Sequence, residues 1–464
     1  MSIEYRWMNI MGVSGVGGWR AILLGLAVAA APACGTRPNP ASCSVDNHCS
    51  DPALPFCDVE GTLGGEPGEC IAVGCTAGEF AQCDGDRAVV CNASGDDYDV
   101  VQCEFGCSDE AQGCNVCTPG SADCKARIIP RYLPDVCEVL ASAPALTISA
   151  STMLDTNLDA SCNGGVVEQL DGPSICVVRY ATIALERNQT LAVTGMRALA
   201  LVADESLTID GILDVGARRG SAGPGGGFVT SGGGWDTANN GAGGAGFRTA
   251  GAPGGSLTAD GGGGSGGQAT PDPSLLVNLV GGTRPQPTPF HSAAAGGAAT
   301  LISCSGEVSV PGIIDAGGGG GPGGGAGGNL ALASGGGSGG YVVLQAMNVT
   351  VSGEVYANGG GGGAGNPEVT LRFVGYGGED GSRSATVSAA GGPAIIGEGA
   401  GGAGGRGNAL PQAGKKAMGS QATAGAGGGS VGYFQTYTPA GVTPSLTPLG
   451  ASPAFQPNGT IPTR

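Results

Sequence analysis

Apolar residues in the second half of the chain recur in a short pattern centred on a glycine. Two apolar positions separated by one residue precede the glycine, and further apolar positions follow it. The pattern occurs around Gly195, Gly211, Gly312 and Gly353. Alternating apolar positions with β-branched residues predict short strands, and a glycine between two of them predicts a corner.

Three copies of this pattern align residue by residue, at 207–216, 308–317 and 349–358, so Asp214 and Asp315 occupy equivalent positions. One copy cannot bury its apolar face, whereas stacked copies form a continuous core. We therefore predict a mostly β fold, a parallel β-solenoid with long glycine-rich loops, preceded by small disulfide-rich modules. The alternative is a β-sandwich whose strands share a corner motif.

Most of the 95 glycines lie between these copies, in residues 216–298, 317–340 and 358–430. Two states are open for such loops. They are flexible coils on composition alone, or extended left-handed segments whose backbones pack side by side because no side chain separates them. Two of the glycine runs, 335–341 and 427–433, resemble each other and each leads into an expected strand.

The 17 cysteines fall mainly into even groups, which predicts small modules that each close internally. Disulfides then substitute for a large core in the first quarter of the chain. Cys304 is far from the others, and we expect its partner to be Cys162 or Cys176. The disulfide candidates are Cys43, Cys49, Cys57, Cys70, Cys75, Cys83, Cys91, Cys103, Cys107, Cys114, Cys117, Cys124, Cys137, Cys162, Cys176 and Cys304.

The N-terminus has the plan of a secretory signal peptide, with Arg6 and Arg20 ahead of an apolar run that ends at Ala33. Two cleavages fit this place: one by the ordinary signal peptidase, and one at a lipobox whose Cys34 takes a diacylglyceryl group. Lipidation of Cys34 leaves an even number of cysteines, and we predict outer-membrane lipid as its partner. Simple secretion with one free thiol is the alternative.

The chain thus divides into four regions. Residues 1–33 are the signal peptide and 34–125 the disulfide-rich modules. Residues 126–438 form the solenoid with its glycine-rich insertions, and Tyr433 to Thr438 is its expected last rung. Recurrent prolines predict an extended tail over 439–464.

Charge and composition exclude several classes of function. The net charge of -18 argues against nucleic acid as a partner. The chain contains two histidines, His48 and His291, and neither has the context of a nucleophilic triad. Cys103, Cys107, Cys114 and Cys117 have finger-like spacing, but behind a signal peptide we expect disulfides there and no metal.

Two sets of residues are candidates for a site. Parallel β-solenoids also carry polysaccharide lyases and hydrolases, for which Asp210, Asp214 and Asp315 are the available carboxylates, although a structural ladder is the simpler interpretation. Aromatic residues in the first long loop could instead contact a glycan or a partner, or anchor the loop on the solenoid. They are Trp235, Phe228, Phe247 and Phe290.

The Cys75 to Cys124 spacing and the glycine runs at 335 and 427 resemble a poorly characterised group of predicted surface lipoproteins from diderm soil bacteria. That resemblance implies location and architecture and no activity. We predict a lipid-anchored or secreted cell-envelope protein with a structural, adhesive or matrix-interaction role, no catalytic residues and no cofactor. Its partner would be extracellular polysaccharide or another surface protein. The alternative is a secreted polysaccharide lyase or hydrolase.

Overall fold

A computed structural model gives two compact units, residues 1–115 and 116–464. The residues that the structure describes are 43–44, 49–51, 54, 56–59, 66–72, 75–85, 87–93, 95, 97–103, 107–108, 112–114, 126–138, 141, 143–218, 220–229, 240–257, 262–270, 276–287, 293–325, 332–366, 374–394, 399–417 and 422–464. The predicted signal peptide, Cys34, Cys117 and Cys124 lie outside them. Within the described residues, no helix is long and apolar enough to cross a membrane.

The first unit consists of short antiparallel strands joined by disulfides. Its strands are β1 (Phe56–Asp58), β2 (Glu69–Ile71), β3 (Phe80–Asp84), β4 (Arg87–Cys91), β5 (Tyr98–Gln102), β6 (Cys107–Ser108) and β7 (Gly113–Cys114). They form the pairs β1–β2 and β6–β7 and the sheet β3–β4–β5. The disulfides are Cys43–Cys57, Cys49–Cys70, Cys75–Cys91, Cys83–Cys107 and Cys103–Cys114. The cysteines from 43 to 70 and those from 75 to 114 thus form two even groups that each close internally, as predicted.

The second unit is also mostly β, and its main sheets are parallel. Its first strands are β8 (Ala145–Ile148), β9 (Thr152–Asp155), β10 (Val166–Val167), β11 (Ile175–Leu185), β12 (Thr190–Thr194), β13 (Ala198–Ile209) and β14 (Ile212–Asp214). The strands that follow are β15 (Ala298–Ser303), β16 (Glu307–Val310), β17 (Ile313–Asp315), β18 (Tyr341–Gln345), β19 (Asn348–Val351), β20 (Glu354–Tyr356) and β21 (Tyr433–Thr438). One 3-10 turn, Asp159–Ser161, separates β9 from β10.

Successive strands pair in register and form three parallel ladders. The first ladder runs through β11, β13, β15, β18 and β21. The second runs from β8 through the later halves of β11 and β13 to β16 and β19. The third runs through β9, β12, β14, β17 and β20. Leucine, isoleucine and valine from all three ladders are buried together in one core, so the prediction of a mostly β fold with parallel strands is confirmed.

The segment interpreted as a proline-rich tail adds three more strands to these ladders: β22 (Ser445–Leu446), β23 (Gly450–Ser452) and β24 (Gly459–Thr460). They pair with β19, β20 and β21 respectively. The stack therefore continues beyond Thr438. Proline is compatible with this place because an edge strand needs few backbone donors.

The corner glycines are in register at three of the four predicted positions. A Cβ on Gly353 would meet the carbonyl oxygen of Gly312, and one on Gly312 would meet that of Gly211, so the three stack. Gly195 was wrongly grouped with them. It follows β12 at φ 117°, while the residue that lies against Gly211 is Gln189. The short interval from Gly195 to Gly211 reflects this offset.

The disulfide of Cys304 also differs from expectation. Cys304 pairs with Cys137, and Cys162 pairs with Cys176. The reason is local. Cys162 precedes the antiparallel pair β10–β11, which brings Cys176 back to it, whereas residues 126–138 cross the first ladder and the Ile128 N–H donates to the Cys304 carbonyl.

The glycine-rich segments are extended and pack side by side, and we call each such segment a lane. Of the two alternatives for these loops, the described residues therefore adopt the packed one. Lane 357–366 is the clearest case. Its N–H groups at 359, 362 and 365 donate to lane 399–405, those at 360 and 363 to lane 332–340, and those at 361 and 364 to lane 374–382. It accepts hydrogen bonds from lanes 316–325, 422–432 and 387–394.

Five of these neighbours are thus contacted at every third residue, which is the repeat of a polyproline II helix, a helix with no internal hydrogen bonds. Six lanes surround lane 357–366. Lane 422–432 is surrounded in the same way, with lanes 240–247, 250–257 and 409–417 completing its shell. We call this array, residues 240–270 and 316–432 as described, the glycine lattice.

Glycine is required in the lattice because the backbones touch. A Cβ on Gly360 would lie 2.1 Å from the Gly319 carbonyl oxygen, and one on Gly429 would lie 2.1 Å from that of Gly337. The similar runs at 335–341 and 427–433 lie beside each other, since the Gly336 N–H donates to Gly427 and Tyr341 pairs with Tyr433.

Candidate functional site

Two aspartates at equivalent positions of the sequence repeat lie side by side, at the C-terminal ends of two neighbouring strands of the third ladder. Asp214 ends β14 and Asp315 ends β17, and strand register pairs them directly. Each has only 4% of its surface exposed. The two aspartates therefore stack on one face in a buried ladder and not in an exposed turn, while Asp210 lies apart with Arg187.

Two arginines bridge the aspartate pair. The Arg218 Nε donates to Asp214 Oδ2 at 2.5 Å, and its Nη2 lies 3.5 Å from Asp315 Oδ2. The Arg383 Nε donates to Asp315 Oδ2 at 2.6 Å, and its Nη2 lies 3.3 Å from Asp214 Oδ2. We call these four residues the charge cluster. Each guanidinium contacts both carboxylates, so the cluster is electrically balanced.

The remaining carboxylate oxygens accept hydrogen bonds from the chain that leaves each strand. Asp214 Oδ1 accepts from the Gly216 N–H at 3.2 Å, and Asp315 Oδ1 accepts from the Gly317 N–H at 3.0 Å. Burial raises the pKa of the Asp315 carboxyl above its ordinary value, and the Arg383 guanidinium opposes that rise. The cluster thus connects the C-terminal ends of β14 and β17 to residues 216–218, where the chain enters the glycine-rich region. It also connects them to Arg383, which follows lane 374–382.

The pH dependence of stability follows from the raised pKa of Asp315. The folded protein retains this proton at pH values where the unfolded chain has released it, so this stabilisation is fully present below pH 3.8 and is lost as pH rises through the folded pKa. For Asp315→Asn we expect the free energy of unfolding, relative to wild type, to increase from below pH 3.8 to neutrality, because asparagine has no proton to release. Urea unfolding across that range measures it.

Asp159→Asn is the matched control, because Asp159 is an exposed carboxylate paired with Arg197 at 2.6 Å. An ion pair on the surface contributes little to stability, so this substitution should change the free energy of unfolding only slightly. A difference for Asp315→Asn that stayed constant or fell with rising pH would contradict the assignment.

An open groove of about 440 Å³ lies near the charge cluster. It is bounded by lane 316–325, by lane 374–382 and by the tip of the turn after Arg218. Its lining is mostly backbone, with two carboxylates: Gly220, Gly320, Gly321, Pro322, Gly377, Gly378, Glu379 and Asp380. The surface of this groove thus combines carbon atoms of glycine and proline with two carboxylates.

The aromatic residues expected to contact a ligand are in different situations. Phe228 is 53% exposed and stays available. Phe247 is buried, with its ring centroid 5.1 Å from that of Tyr433 and its N–H donating to the Ser430 hydroxyl. The anchoring alternative therefore holds for Phe247. Trp235 and Phe290 lie outside the described residues.

Sequence reasoning missed the groove carboxylates and both bridging arginines as site residues. Arg218 follows Asp214 by four residues, a spacing that could have suggested the pair. Arg383 is distant in sequence, and only the packing of lane 374–382 brings it to Asp315. No periodic signal marks Glu379 or Asp380.

The described cysteines that lie close together or have finger-like spacing are in disulfides. Cys43, Cys49 and Cys70 have sulfurs within 4.8 Å of one another, but all three are in disulfides. Cys103, Cys107 and Cys114 of the finger-like set are also in disulfides. Both histidines lie outside the described residues.

Comparison with known proteins adds nothing to this geometry. No family model, no curated protein and no solved structure matches the chain.

Proposed function

We propose that this chain is an exported, lipid-anchored cell-surface protein with a structural, adhesive or matrix-interaction role. The observation that carries the proposal is the glycine lattice. A large share of the chain forms this hydrogen-bonded array, whose outer lanes are exposed. An enzyme concentrates its chemistry in a pocket with a few converging polar groups. Here the carboxylates of the charge cluster pair with arginines, as expected of an ionic cross-link between segments of the chain.

We further propose that the β part of the second unit is a parallel β-solenoid. Three ladders with matching register support this, because each turn of chain adds one strand to each ladder. The glycine lattice would then be formed by the long connections from the third ladder back to the first.

Export is supported by the seven disulfides among the described residues. Disulfides at this density are typical of oxidising compartments. They use fourteen of the seventeen cysteines, and a Cys117–Cys124 pair would leave Cys34 alone for the lipid.

Adhesion is supported by the outer lanes 387–394 and 409–417, which lie against lane 399–405. In lane 387–394 every third residue is exposed, namely Val387, Ala390 and Pro393. In lane 409–417 two of every three residues are exposed, among them Leu410 and Ala413. Val387 is 61% and Leu410 67% exposed. A regular surface of this kind fits an extended partner such as an extracellular polysaccharide.

We expect mass spectrometry of the mature N-terminus to find a diacylglyceryl group on Cys34, and a Cys34→Ser variant to be released from the membrane fraction. The reason is that two acyl chains bury enough methylenes for stable anchoring, at about 0.8 kcal/mol each. An unmodified Cys34, or retention of the serine variant in the membrane fraction, would contradict lipid anchoring through Cys34.

The interaction role is tested separately on a glycan array with the exported chain, followed by a product assay on every ligand found. Binding without turnover supports the proposal. Turnover that is lost in Asp214→Asn or Asp315→Asn, in variants that still unfold cooperatively, supports the lyase or hydrolase alternative instead. Absence of binding removes polysaccharide as the partner.

A further inference from the structure

Four asparagines in the chain have the spacing of a glycan acceptor, in which serine or threonine stands two positions after the asparagine and the residue between them is not proline. They are Asn92, Asn188, Asn348 and Asn458. In an exported chain such an asparagine receives an oligosaccharide on its side-chain nitrogen when its segment is presented at the surface. The structure distinguishes among the four.

Two of these asparagines use their carboxamides within the fold. The Asn92 side-chain oxygen accepts a hydrogen bond from the Gly95 N–H at 2.8 Å. The Asn458 side-chain oxygen accepts from the Thr436 hydroxyl, and its nitrogen donates to the Thr438 hydroxyl, each at 2.8 Å. These hydrogen bonds would have to break before an enzyme could bind either carboxamide.

Asn348 is exposed, but its acceptor motif lies within a strand. It begins β19, which pairs with β16 on one side and with β22 on the other. Thr350, the hydroxyl residue of this motif, pairs with Ser309 and with Ser445. A transferase must bend the acceptor segment to reach the asparagine and the hydroxyl together, and a strand paired on both sides resists that bending.

Asn188 differs because it lies in the turn between β11 and β12 and is exposed. Its φ of 63° lies in the left-handed region, which asparagine enters more readily than most residues with a side chain. Thr190 begins β12 with its side chain on the outer face, since Leu191 and Val193 are buried in the core. Within the described residues, neither the Asn188 carboxamide nor the Thr190 hydroxyl has a hydrogen-bond partner. Both groups are therefore available to an enzyme.

A carboxylate in the same turn adds a third recognition group. Glu186 stands two residues before Asn188 and is exposed. Bacterial oligosaccharyltransferases select acceptors with an acidic residue at this position, where a carboxylate can pair with a basic side chain of the enzyme. The corresponding residues of the other three motifs are Val90, Ala346 and Gln456, which carry no charge.

We infer that Asn188 is a modification site that receives an oligosaccharide from a lipid-diphosphate donor. In the transfer the Asn188 Nδ2 forms a bond to C1 of the first sugar, the bond between C1 and the donor phosphate oxygen breaks, and the lipid diphosphate leaves. The amide nitrogen loses one proton to a base of the transferase. The inference rests on the export contained in the proposed function, because this class of transferase acts outside the cytoplasm.

The test uses the purified, oxidised full chain with Cys34→Ser, so that its outcome is independent of the anchor. The chain is incubated with a bacterial oligosaccharyltransferase of the acid-requiring class and a lipid-diphosphate-linked oligosaccharide. Intact mass and peptide mapping by mass spectrometry give the occupancy of each asparagine. We expect one oligosaccharide, on Asn188. Asn188→Gln and Thr190→Ala should each lower the occupancy at least tenfold, whereas Thr190→Ser should retain it.

The carboxylate is tested by Glu186→Gln, which should also lower the occupancy at least tenfold, with Glu186→Asp as the conservative variant that retains it. Asn348→Gln is the matched control. It removes an exposed acceptor motif that lies in a strand and lacks the carboxylate, so it should change nothing. Far-UV circular dichroism checks that the variants fold.

Three results of this assay would overturn the inference. They are a folded chain that receives no oligosaccharide on Asn188, occupancy that Thr190→Ala leaves unchanged, and equal occupancy of Asn348. The chain recovered from the cells that produce it gives a further check. An unmodified Asn188 in a chain whose signal peptide has been removed would overturn the inference and leave export standing.

Discussion

Replacing Gly429 by alanine is expected to lower the free energy of unfolding by about 3 kcal/mol, the upper part of the usual range for overpacking. The new Cβ would lie 2.1 Å from the oxygen and 2.5 Å from the carbon of the Gly337 carbonyl. Backbone cannot rotate away as a side chain can, so lanes 422–432 and 332–340 must separate. Urea unfolding followed by far-UV circular dichroism measures the loss.

Gly262→Ala is the control for this experiment. Among the described residues, no atom lies within 4 Å of the Cβ position of Gly262, which has no positive φ. The same substitution there should stabilise by roughly 0.4–1 kcal/mol, because alanine restricts only the unfolded chain. Equal effects at both sites would mean that the backbone contacts of the lattice do not hold in solution.

Removal of the Cys137–Cys304 disulfide is expected to have the second large effect. The bond spans 167 residues, and the entropy of closing a loop of that length corresponds to about 5 kcal/mol. It also holds residues 126–138 against the first ladder, where the Arg131 N–H donates to Gln345 and the Tyr132 hydroxyl lies 3.1 Å from that of Tyr341. Cys137→Ala with Cys304→Ala should therefore reduce the urea midpoint strongly.

The matched double variant is Cys162→Ala with Cys176→Ala. That disulfide spans 14 residues, for which the same entropy relation gives about 3 kcal/mol. The prediction is the order of the two losses. If the local disulfide proved the more stabilising, the contacts of residues 126–138 would be secondary to the fold.

The parts of the fold that depend on short-range periodicity could be predicted from the sequence. Alternation around Gly211, Gly312 and Gly353 specified the strand pairs and their register, and hence the contact between Asp214 and Asp315. Gly195 was misassigned because it is preceded by the same apolar pattern. It follows a strand of the third ladder, however, whereas the corner glycines lie between the second and the third ladder. A glycine in a strand pattern does not reveal whether it makes a corner or ends a strand.

The glycine lattice could not be predicted from the sequence in the way that the strands were. Its period of three is carried by backbone hydrogen bonds and does not require a sequence repeat, so glycine-rich composition fits a coil equally well. Which lanes become neighbours depends on where the ladders place their ends. For the same reason Arg383 and the groove carboxylates gave no signal in the sequence, and the partner of Cys304 was chosen wrongly.

The lattice has a calorimetric consequence. Exposure of apolar surface raises the heat capacity on unfolding, whereas exposure of peptide groups lowers it. Lanes such as 357–366 release mostly peptide groups when they separate. The chain should therefore have a smaller heat-capacity increment per residue than the usual 12–15 cal/mol/K, and its stability should vary little between cold and warm surroundings.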